Sequence, residues 1–449
     1  MLKRKIYSDL SNWKNCAQKT ALIVTGVSQC GKSSAIRDFG MKNYSTFVEF
    51  NFSEHQNSKL LKDRDFSKQD LYIELSRQGK TYLLPGRTLI FLDEVQTFKQ
   101  ILPMIPELVS DNKYDFILSG SFLNVEMKEE IESLPQKYIQ VLEMYPLNFE
   151  EFLTAHNVNS DIFEYLEDCF INKKTINEGI HNVLMNHFNK YLLVGGMPAP
   201  VEEYLNTLDL NRVDDKKKHI DEVYRTEITR YSKNTKQNMV KLYNNIQKQV
   251  KKNNIRFKLS EFDKNARFEN AEHKINWLVD AGFALSVPNV TELNTPLGNN
   301  ESKNLFKLYK SDIGLVTKDL DDESKNDLLE NIPSKNKKGL YENALASELL
   351  SNGYKLFYYN INNKGKIVFM VEIDNKIIPL VIKGKNTINK HSLLNILLDG
   401  DKYNFSEGYA LYGGNLIQSG KITYLPIYMS MFLKNNKTKY TSEPLDLVI

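Results

Sequence analysis

The sequence predicts an α/β protein that begins with a parallel-sheet domain and continues into a helical region, a winged-helix region and a smaller α/β domain. Three observations support this fold class. The first 150 residues alternate between strand-like and helix-like segments. A glycine-rich phosphate-loop motif lies between the first strand-like segment and the helix-like segment after it. Between residues 232 and 314, two amphipathic helical patterns precede two strand-like segments that a polar loop separates.

Length and composition exclude several classes of protein. A chain of 449 residues is too long for one ordinary core and indicates about two or three domains. Hydrophobic residues make up 41% of the chain and charged residues 26%, the balance of a water-soluble globular protein. No apolar run approaches the roughly 20 residues of a membrane span, and the N-terminal segment lacks the apolar core of a signal peptide. Cys16, Cys30 and Cys169 lie far apart without metal-ligand spacing, so we expect a cytoplasmic protein with no membrane partner.

Five strand-like segments predict the sheet of the N-terminal region. They are runs of mainly apolar residues at 21–25, 46–52, 88–93, 115–119 and 137–143. A helix-like segment begins at Ser33. Strands that alternate with helix-length segments form parallel sheets with helices on both faces. We therefore expect a doubly covered parallel sheet.

The rest of the chain is predicted to form further structural regions. Residues 148–230 have a helical pattern that Gly195, Gly196 and Pro198 interrupt with a turn. A winged-helix pattern and a polar linker follow, and then a helix with several short strands. The predicted boundaries are 1–155 for the P-loop domain, 156–231 for a helical lid or connector, 232–318 for the winged helix, 319–338 for the linker and 339–449 for the C-terminal domain.

The phosphate-loop pattern G-x-x-x-x-G-K-[ST] is satisfied at every position by residues 26–33. Glycines let the backbone curl so that its N–H groups converge on phosphate oxygens, and the next helix adds its dipole. Lys32 is predicted to reach the β- and γ-phosphates of ATP and to take part in catalysis, and Ser33 to offer its hydroxyl to Mg²⁺. The predicted nucleotide-binding residues of this loop are Gly26, Val27, Ser28, Gln29, Cys30, Gly31, Lys32, Ser33 and Ser34.

Two acidic residues follow the apolar run at 88–92. Asp93, at the end of the predicted strand, is expected to hold Mg²⁺ through water, and Glu94 to orient and deprotonate the water that attacks ATP. The alternative is a strand that ends in an ordinary polar turn, which the phosphate loop upstream disfavours.

Two weaker signals concern the same site. Ser119 ends an apolar strand, where ATPases of this kind place a polar residue that senses the γ-phosphate; an ordinary strand-end serine is an equal alternative. Many such enzymes also need an arginine finger. Arg225 and Arg230 are candidates because they flank Glu227 in a basic helical segment, although salt-bridged surface arginines fit the same pattern.

Positive charge is concentrated in the middle of the chain. The formal net charge is only +3, yet residues 212–258 contain 14 lysines and arginines against five acidic residues. Such a segment attracts polyanions, which makes weak, non-specific DNA binding a candidate function. A solvated helical face is the alternative interpretation.

Seven segments carry a resemblance to a known family. They are the phosphate loop, Leu92-Asp-Glu-Val-Gln96, Ser119-Gly-Ser121, residues 144–153, Gly195-Gly-Met-Pro198, residues 306–315 and residues 339–343. In this order, over nearly the whole chain, they resemble the prokaryotic AAA-family ATPases that join a P-loop domain to a C-terminal domain of unknown function with a restriction-endonuclease-like fold. The resemblance implies an AAA core, a winged helix and a nuclease-like C-terminal domain, and it leaves the biological role open.

The nuclease-like domain departs from the family pattern. Family members carry an aspartate and a glutamate on a hairpin, a lysine after them and a glutamate on the preceding helix. Glu342 matches the helix glutamate and Lys383 matches the lysine. The two hairpin acids fall on Val368 and Val381, which cannot ligate Mg²⁺ because this ion takes oxygen ligands. Nuclease activity is therefore not expected.

The hairpin itself can be derived from its residues. A two-residue turn at Asp374 and Asn375, both tolerant of positive φ, pairs residues whose numbers sum to 749. This register places Val368 opposite Val381. It also predicts that Lys366 lies opposite Lys383, so that two cations repel each other on the former metal face.

The predicted function is an ATP-binding, ATP-hydrolysing AAA-family protein whose nucleotide state controls its winged-helix and nuclease-like domains, with ATP and Mg²⁺ as ligands. One alternative is a nucleotide-gated module that binds DNA or a protein partner with negligible turnover. An ATP-dependent nuclease is the other, and the hairpin disfavours it. The oligomeric state and the biological process are left open.

Overall fold

Two compact units make up the chain in the computed structural model. The structure describes residues 2–54, 67–231, 236–263, 267–332, 337–361, 365–384, 392–400, 403 and 405–435. The N-terminal unit comprises Met1–Pro146 with Ile275–Phe283, and the C-terminal unit comprises Leu147–Lys274 with Ala284–Ile449. Among the described residues, no helix has the length and apolar character needed to cross a membrane.

The N-terminal unit is built around a parallel sheet with the strand order β2-β3-β4-β1-β5. The strands are β1 (Ala21–Thr25), β2 (Thr46–Asn51), β3 (Thr88–Asp93), β4 (Asp115–Ser119) and β5 (Ile139–Glu143). The helices are α1 (Ile6–Asn15), α2 (Lys32–Asn43), α3 (Lys68–Gly79), α4 (Ile105–Ser110), α5 (Leu123–Glu126) and α6 (Lys128–Ser133). All five predicted strands are confirmed, and their bounds differ from the prediction by at most two residues.

Burial on both faces explains why these strands are apolar throughout. Every residue of β1 and of β3 is buried. Parallel strands run in one direction, so their carboxyl ends meet at one edge of the sheet. In this order β3 and β4 are neighbours, and Leu92 lies opposite Leu118. The residue after Leu92 is Asp93, and the residue after Leu118 is Ser119. The sheet thus brings two of the predicted site residues side by side.

The C-terminal unit combines a helical segment with a mixed sheet. Its helices are α7 (Phe149–Ala155), α8 (Ser160–Ile171), α9 (Glu178–Val194), α10 (Pro198–Thr207), α11 (Leu210–Tyr231), α12 (Lys236–Lys251), α14 (Gly314–Thr317), α15 (Asp322–Leu329), α16 (Lys337–Ser351) and α17 (Ser392–Asp399), and α13 (Phe268–Asp280) contributes residues to both units. Its strands are β6 (Ala284–Val290), β7 (Glu301–Lys310), β8 (Phe357–Ile361), β9 (Gly365–Ile373), β10 (Lys376–Ile382), β11 (Gly408–Tyr412), β12 (Ile417–Ser419) and β13 (Ile422–Pro426).

The eight strands of the C-terminal unit form one sheet in the order β12-β13-β11-β10-β9-β8-β6-β7. The antiparallel pair β6 and β7 is the strand pair that the sequence assigns to a winged helix. Strand β6 also meets β8 in parallel, with Asn289 opposite Tyr358. The sheet is therefore continuous across the segment predicted to be a linker, and that segment contains α15. Pairing between strands so far apart in the chain leaves no trace in a local sequence pattern.

The hairpin of β9 and β10 has the predicted turn and register. Asp374 and Asn375 have φ values of 48° and 60°, and Val371 lies opposite Ile378. The pairs from Ile373 with Lys376 through Phe369 with Leu380 all follow the predicted register.

The predicted turn at Gly195 and Gly196 is anchored by a distant carboxylate. Gly195 has a φ of 83°, and a Cβ there would lie 2.3 Å from Oδ1 of Asp312. The N–H groups of Gly196 and Gly314 donate to Asp312 at 2.5 and 2.9 Å. Asp312 is buried, so these bonds satisfy it where water does not. Two segments of the family resemblance are thus joined for a structural reason.

Candidate nucleotide-binding site

The phosphate loop connects β1 to α2 through backbone bends that favour glycine. Gly26 and Gly31 have φ values of 134° and 99°. A Cβ on Gly26 would lie 2.1 Å from the carbonyl oxygen of Met144, so a larger residue does not fit there. Gln29 also has a positive φ, of 63°. The loop therefore has the curled backbone that presents N–H groups to an anion.

The side chains of the loop divide into buried and exposed groups. Val27, Ser28 and Cys30 are buried, and the thiol of Cys30 lies 3.4 Å from the carbonyl oxygen of Met144. Gln29 and Ser34 are exposed. The buried side chains anchor the loop in the domain, so its backbone N–H groups are the part that remains for a ligand.

Lys32, at the start of α2, lies inside the loop. Its side chain is only 6% exposed. Its Nζ donates to the carbonyl oxygens of Gly26 and Val27 at 2.8 and 3.0 Å. The ammonium group is thus held by oxygen acceptors of the same loop whose N–H groups would bind phosphate. A phosphate oxygen has the chemistry to replace those carbonyl oxygens.

Three oxygen-bearing side chains from three elements converge at the sheet edge. The hydroxyl of Ser33 donates to Oδ2 of Asp93 at 3.0 Å, and the hydroxyl of Ser119 donates to Oδ1 of the same carboxylate. Asp93 and Ser119 are buried. Mg²⁺ prefers carboxylate, hydroxyl and water oxygens, so this donor set fits the ion. Ser33 and Asp93 are the residues that would hold it, and a bound ion would offset negative charge on the phosphates of ATP.

Glu94 follows Asp93 in a left-handed backbone conformation, with a φ of 55°. The side-chain amide of Gln96 donates to its Oε2, and the hydroxyl of Ser121 lies 3.5 Å from its Oε1. Burial and the charge of Asp93 raise the pKa of Glu94, while the bond from Gln96 and the charge of Lys32 oppose this. A carboxylate with a raised pKa is a stronger base, which suits proton abstraction from water.

Gln96 also belongs to the site, although its sequence motif does not indicate a role for it. It is 7% exposed, and no described residue bonds to its Oε1. A Cβ on Gly120 would lie 2.1 Å from that oxygen. Gln96 is therefore wedged between Glu94 and the residue after Ser119. The only sequence signal for it is its place in Leu92-Asp-Glu-Val-Gln96.

The arginine-finger candidates both lie on α11 in the C-terminal unit. Arg225 pairs with Asp221 of the same helix at 2.7 Å. Arg230 is exposed near the end of the helix. For Arg225, this is the salt bridge that the alternative interpretation describes.

Part of the basic segment is neutralised within the unit. Lys217 is buried and pairs with Asp214 at 2.6 Å. Further pairs, which involve exposed cations, are Arg212 with Glu203 at 2.8 Å and Lys252 with Glu261 at 2.8 Å. The excess charge counted in the sequence therefore overstates what the segment offers to a polyanion.

An ion-pair cluster surrounds Glu342, the residue that the family resemblance assigned to a nuclease-type site. Glu342, 1% exposed, pairs with Lys307, accepts from the hydroxyl of Tyr309 at 3.0 Å and pairs with Lys366 at 3.1 Å. The carboxylate of Glu342 compensates the charge of Lys366, a partner that the predicted repulsion between Lys366 and Lys383 did not include. Glu342 lies on α16, outside the hairpin, so the hairpin register does not contain this contact.

Three family models match the chain. Residues 18–153 match an AAA domain. Residues 185–326 match a domain of unknown function, DUF8612, and residues 337–429 match another, DUF4143. The chain thus carries an AAA-type P-loop ATPase domain followed by two domains of unknown function. No match was found among curated proteins.

Solved structures with similarity to this chain include AAA-type proteins of low sequence identity. The Aeropyrum pernix ORC2 protein in ADPNP and ADP complexes is 10% identical, with a TM-score of 0.35, over 73% of this chain and 91% of that chain. The Aeropyrum pernix ORC1 protein in complex with DNA is 10% identical, with a TM-score of 0.25, over 74% and 91%. C. elegans PCH-2 is 11% identical, with a TM-score of 0.28, over 46% and 60%. TM-scores this low support no functional argument.

Proposed function

We propose that the protein binds ATP with Mg²⁺ and hydrolyses it, and that the nucleotide state of its P-loop domain controls the C-terminal unit. The observation that carries the proposal is the convergence of Ser33 and Ser119 on the buried carboxylate of Asp93, with Glu94 next in the chain. An ordinary polar turn after β3 gives no reason for Asp93 to accept hydrogen bonds both from Ser33 of α2 and from Ser119 of β4.

Each residue has a separate task in this proposal. The loop N–H groups and Lys32 bind the phosphates, and Ser33 and Asp93 hold Mg²⁺. Glu94 takes a proton from the attacking water, and its raised pKa suits this task. Ser119 bonds to Asp93 and lies at the end of β4, where it reports on the γ-phosphate.

We also propose that the C-terminal unit contains a winged helix and a restriction-endonuclease-like domain without nuclease activity. The order α12, α13, β6, β7 supports the winged helix. The order α16, β8, β9, β10 with a parallel β11 supports the nuclease-like fold. The pairing of Glu342 with two lysines supports the loss of metal chemistry, because lysine ammonium groups already lie beside the carboxylate where a metal ion would have to bind.

A second candidate function is a nucleotide-gated binding module with negligible turnover. The bond from Gln96 to the carboxylate of Glu94 favours it, because an engaged carboxylate is less free to accept a proton from water. The partner in either case is DNA, bound weakly and without sequence preference, or another protein.

Phosphate release from ATP and Mg²⁺, measured with and without DNA, tests the proposal. We expect turnover in the wild-type protein and ATP binding without turnover in Glu94→Gln, because that change removes the base and keeps the phosphate contacts. Wild-type turnover no faster than Glu94→Gln under both conditions would favour the binding module. Failure to bind ATP would contradict both functions, and wild-type turnover in Glu94→Gln would show that Glu94 is not the base.

A further inference from the structure

A groove with a volume of about 980 Å³ opens within the C-terminal unit, in a region that the proposed ATPase reaction does not use. The segment after α12 forms one side, and parts of β6, β7 and β8 form the other. Its polar lining includes Asn253, Arg256, Lys258, Asn289, Tyr358 and Asn360. None of the lining residues is acidic. The groove is therefore polar and carries positive charge.

Two cations supply this charge. Arg256 is exposed, and the part of the chain that the structure describes gives it no ion-pair partner. It lines the groove together with Tyr358, whose pKa burial raises to about 12 while the charge of Arg256 lowers it. Lys258 is half exposed and lies 3.8 Å from Glu261, a distance at which a solvated pair contributes little. Both cations remain available to an anionic ligand.

Asn289 adds an independent feature on the floor of the groove. Strand β6 has an irregularity between Pro288 and Asn289 where it pairs with β7, and such bulges re-aim side chains. Asn289 is 6% exposed and donates to the carbonyl oxygen of Val290 at 3.1 Å. Its Oδ1 is buried without a partner among the described residues, as is Oδ1 of Asn253. A buried acceptor without a donor is costly, so an N–H group brought by a ligand would be stabilised there.

We propose that this groove binds a single strand of nucleic acid. Arg256 and Lys258 contact the phosphates, and the side-chain oxygens of Asn289 and Asn253 accept from the N–H groups of unpaired bases. A duplex hides those base edges in its own pairs, whereas a single strand can turn them into a recess. A protein ligand with acidic side chains would satisfy the cations but not the recessed acceptors. The proposal does not depend on ATP hydrolysis.

Fluorescence anisotropy with a labelled, mixed-sequence DNA oligonucleotide tests the proposal on the full chain without ATP. We expect binding at about 50 mM salt that weakens steeply at about 200 mM, because phosphate contacts release counterions. Arg256→Glu should weaken binding about tenfold or more. Lys248→Glu is the matched control, since it makes the same charge change at an exposed lysine of α12 outside the groove. It should weaken binding only slightly.

Asn289→Leu separates base recognition from general charge. It removes the buried acceptor at similar volume, so we expect the thermal midpoint to stay equal or rise while strand binding weakens with an unchanged salt slope. Equal effects of Arg256→Glu and Lys248→Glu would contradict binding in the groove and would show that the strand is attracted by the general positive charge of the surface. Equal affinity for a duplex, displacement by a mononucleotide, or no binding at low salt would each contradict the proposal as well. Because ATP is absent, none of these results bears on the ATPase proposal.

Discussion

Glu342 and Lys366 form an ion pair of 3.1 Å in which the carboxylate is 1% exposed. Burial favours the neutral acid, but the charges of Lys307 and Lys366 outweigh it and lower the pKa of Glu342 to about 2. Lys307 is buried as well, and burial lowers its pKa to about 8 although Glu342 acts in the opposite direction. The buried carboxylate and the buried ammonium group therefore each need the other to stay charged. We interpret the role of Glu342 as structural.

Removal of Glu342 is expected to destabilise the C-terminal unit strongly. Glu342→Ala leaves Lys307 buried without its partner, which costs about 3–5 kcal/mol of unfolding free energy. Glu342→Leu combined with Lys307→Met should recover most of that loss, because the fully buried charge of Lys307 is then absent and Lys366, whose side chain is 14% exposed, can reach solvent. Urea denaturation followed by circular dichroism measures both. If Glu342→Ala were as stable as the wild type, the structural role assigned to the pair of Glu342 and Lys307 would be contradicted.

Stability should also depend on pH through Glu342. Its pKa is about 2 in the folded protein, below the ordinary value of 4.5, so the unfolded chain binds the proton more readily between these values. The free energy of unfolding should therefore fall as the pH falls from about 4.5 towards 2. Glu342→Gln should show a smaller decrease over the same window in denaturation at several pH values. An identical decrease in both proteins would exclude this contribution.

No nucleic-acid cleavage is expected from the purified protein. A nuclease of this type needs at least two carboxylates around its metal, whereas Val368 and Val381 are buried apolar residues and Glu342 is engaged by lysines. Incubation with single- and double-stranded DNA and with RNA, in the presence of ATP and Mg²⁺ or Mn²⁺, measures this. Cleavage that disappears in Lys383→Ala would show that other acids supply the site.

The parallel sheet and the hairpin could be predicted because their signals are local. Uninterrupted apolar strands identified β1 and β3, and two residues tolerant of positive φ identified the turn at Asp374 and Asn375. A parallel sheet places Asp93 and Ser119 at the same edge, whereas their neighbouring positions depend on the strand order β2-β3-β4-β1-β5.

Contacts between distant segments could not be predicted in the same way. The bond from Gly314 to Asp312 is local, because the two residues are two positions apart. The bond from Gly196 to Asp312 joins residues 116 positions apart. The ion pair of Lys366 with Glu342 depends on how α16 packs on the sheet, which a hairpin register does not contain. The motif position of Gln96 did not indicate its contact with Glu94, which forms across the left-handed backbone at Glu94.

Lys32→Ala is expected to abolish ATP binding. The lysine and the loop N–H groups act on the same phosphates, and alanine removes the only charge among them. Lys42→Ala on the same helix is the control, because the Lys42 side chain is 68% exposed and pairs with Asp38 four residues before it. Isothermal titration with ATP and Mg²⁺ distinguishes them. Equal affinities for the two variants would show that the nucleotide binds elsewhere.

Gln96→Leu is expected to slow ATP hydrolysis without weakening ATP binding. The amide of Gln96 holds the carboxylate of Glu94, and its loss lets the base leave its position, so kcat should fall about tenfold while the dissociation constant for ATP is unchanged.

The pH profile separates this positioning role from a merely structural one. The bond from Gln96 lowers the pKa of Glu94 against burial and the charge of Asp93, so its removal should raise that pKa further. Glu94 acts as a base only when deprotonated, and the acidic limb of the kcat profile should therefore move to higher pH in Gln96→Leu. Thr97→Val is the control, because its hydroxyl bonds to the backbone oxygen of Glu94 at 2.8 Å and not to the carboxylate. A higher kcat in Gln96→Leu would instead mean that Gln96 restrains Glu94 as a base. A pH profile that does not shift would show that Gln96 has no influence on the protonation of Glu94.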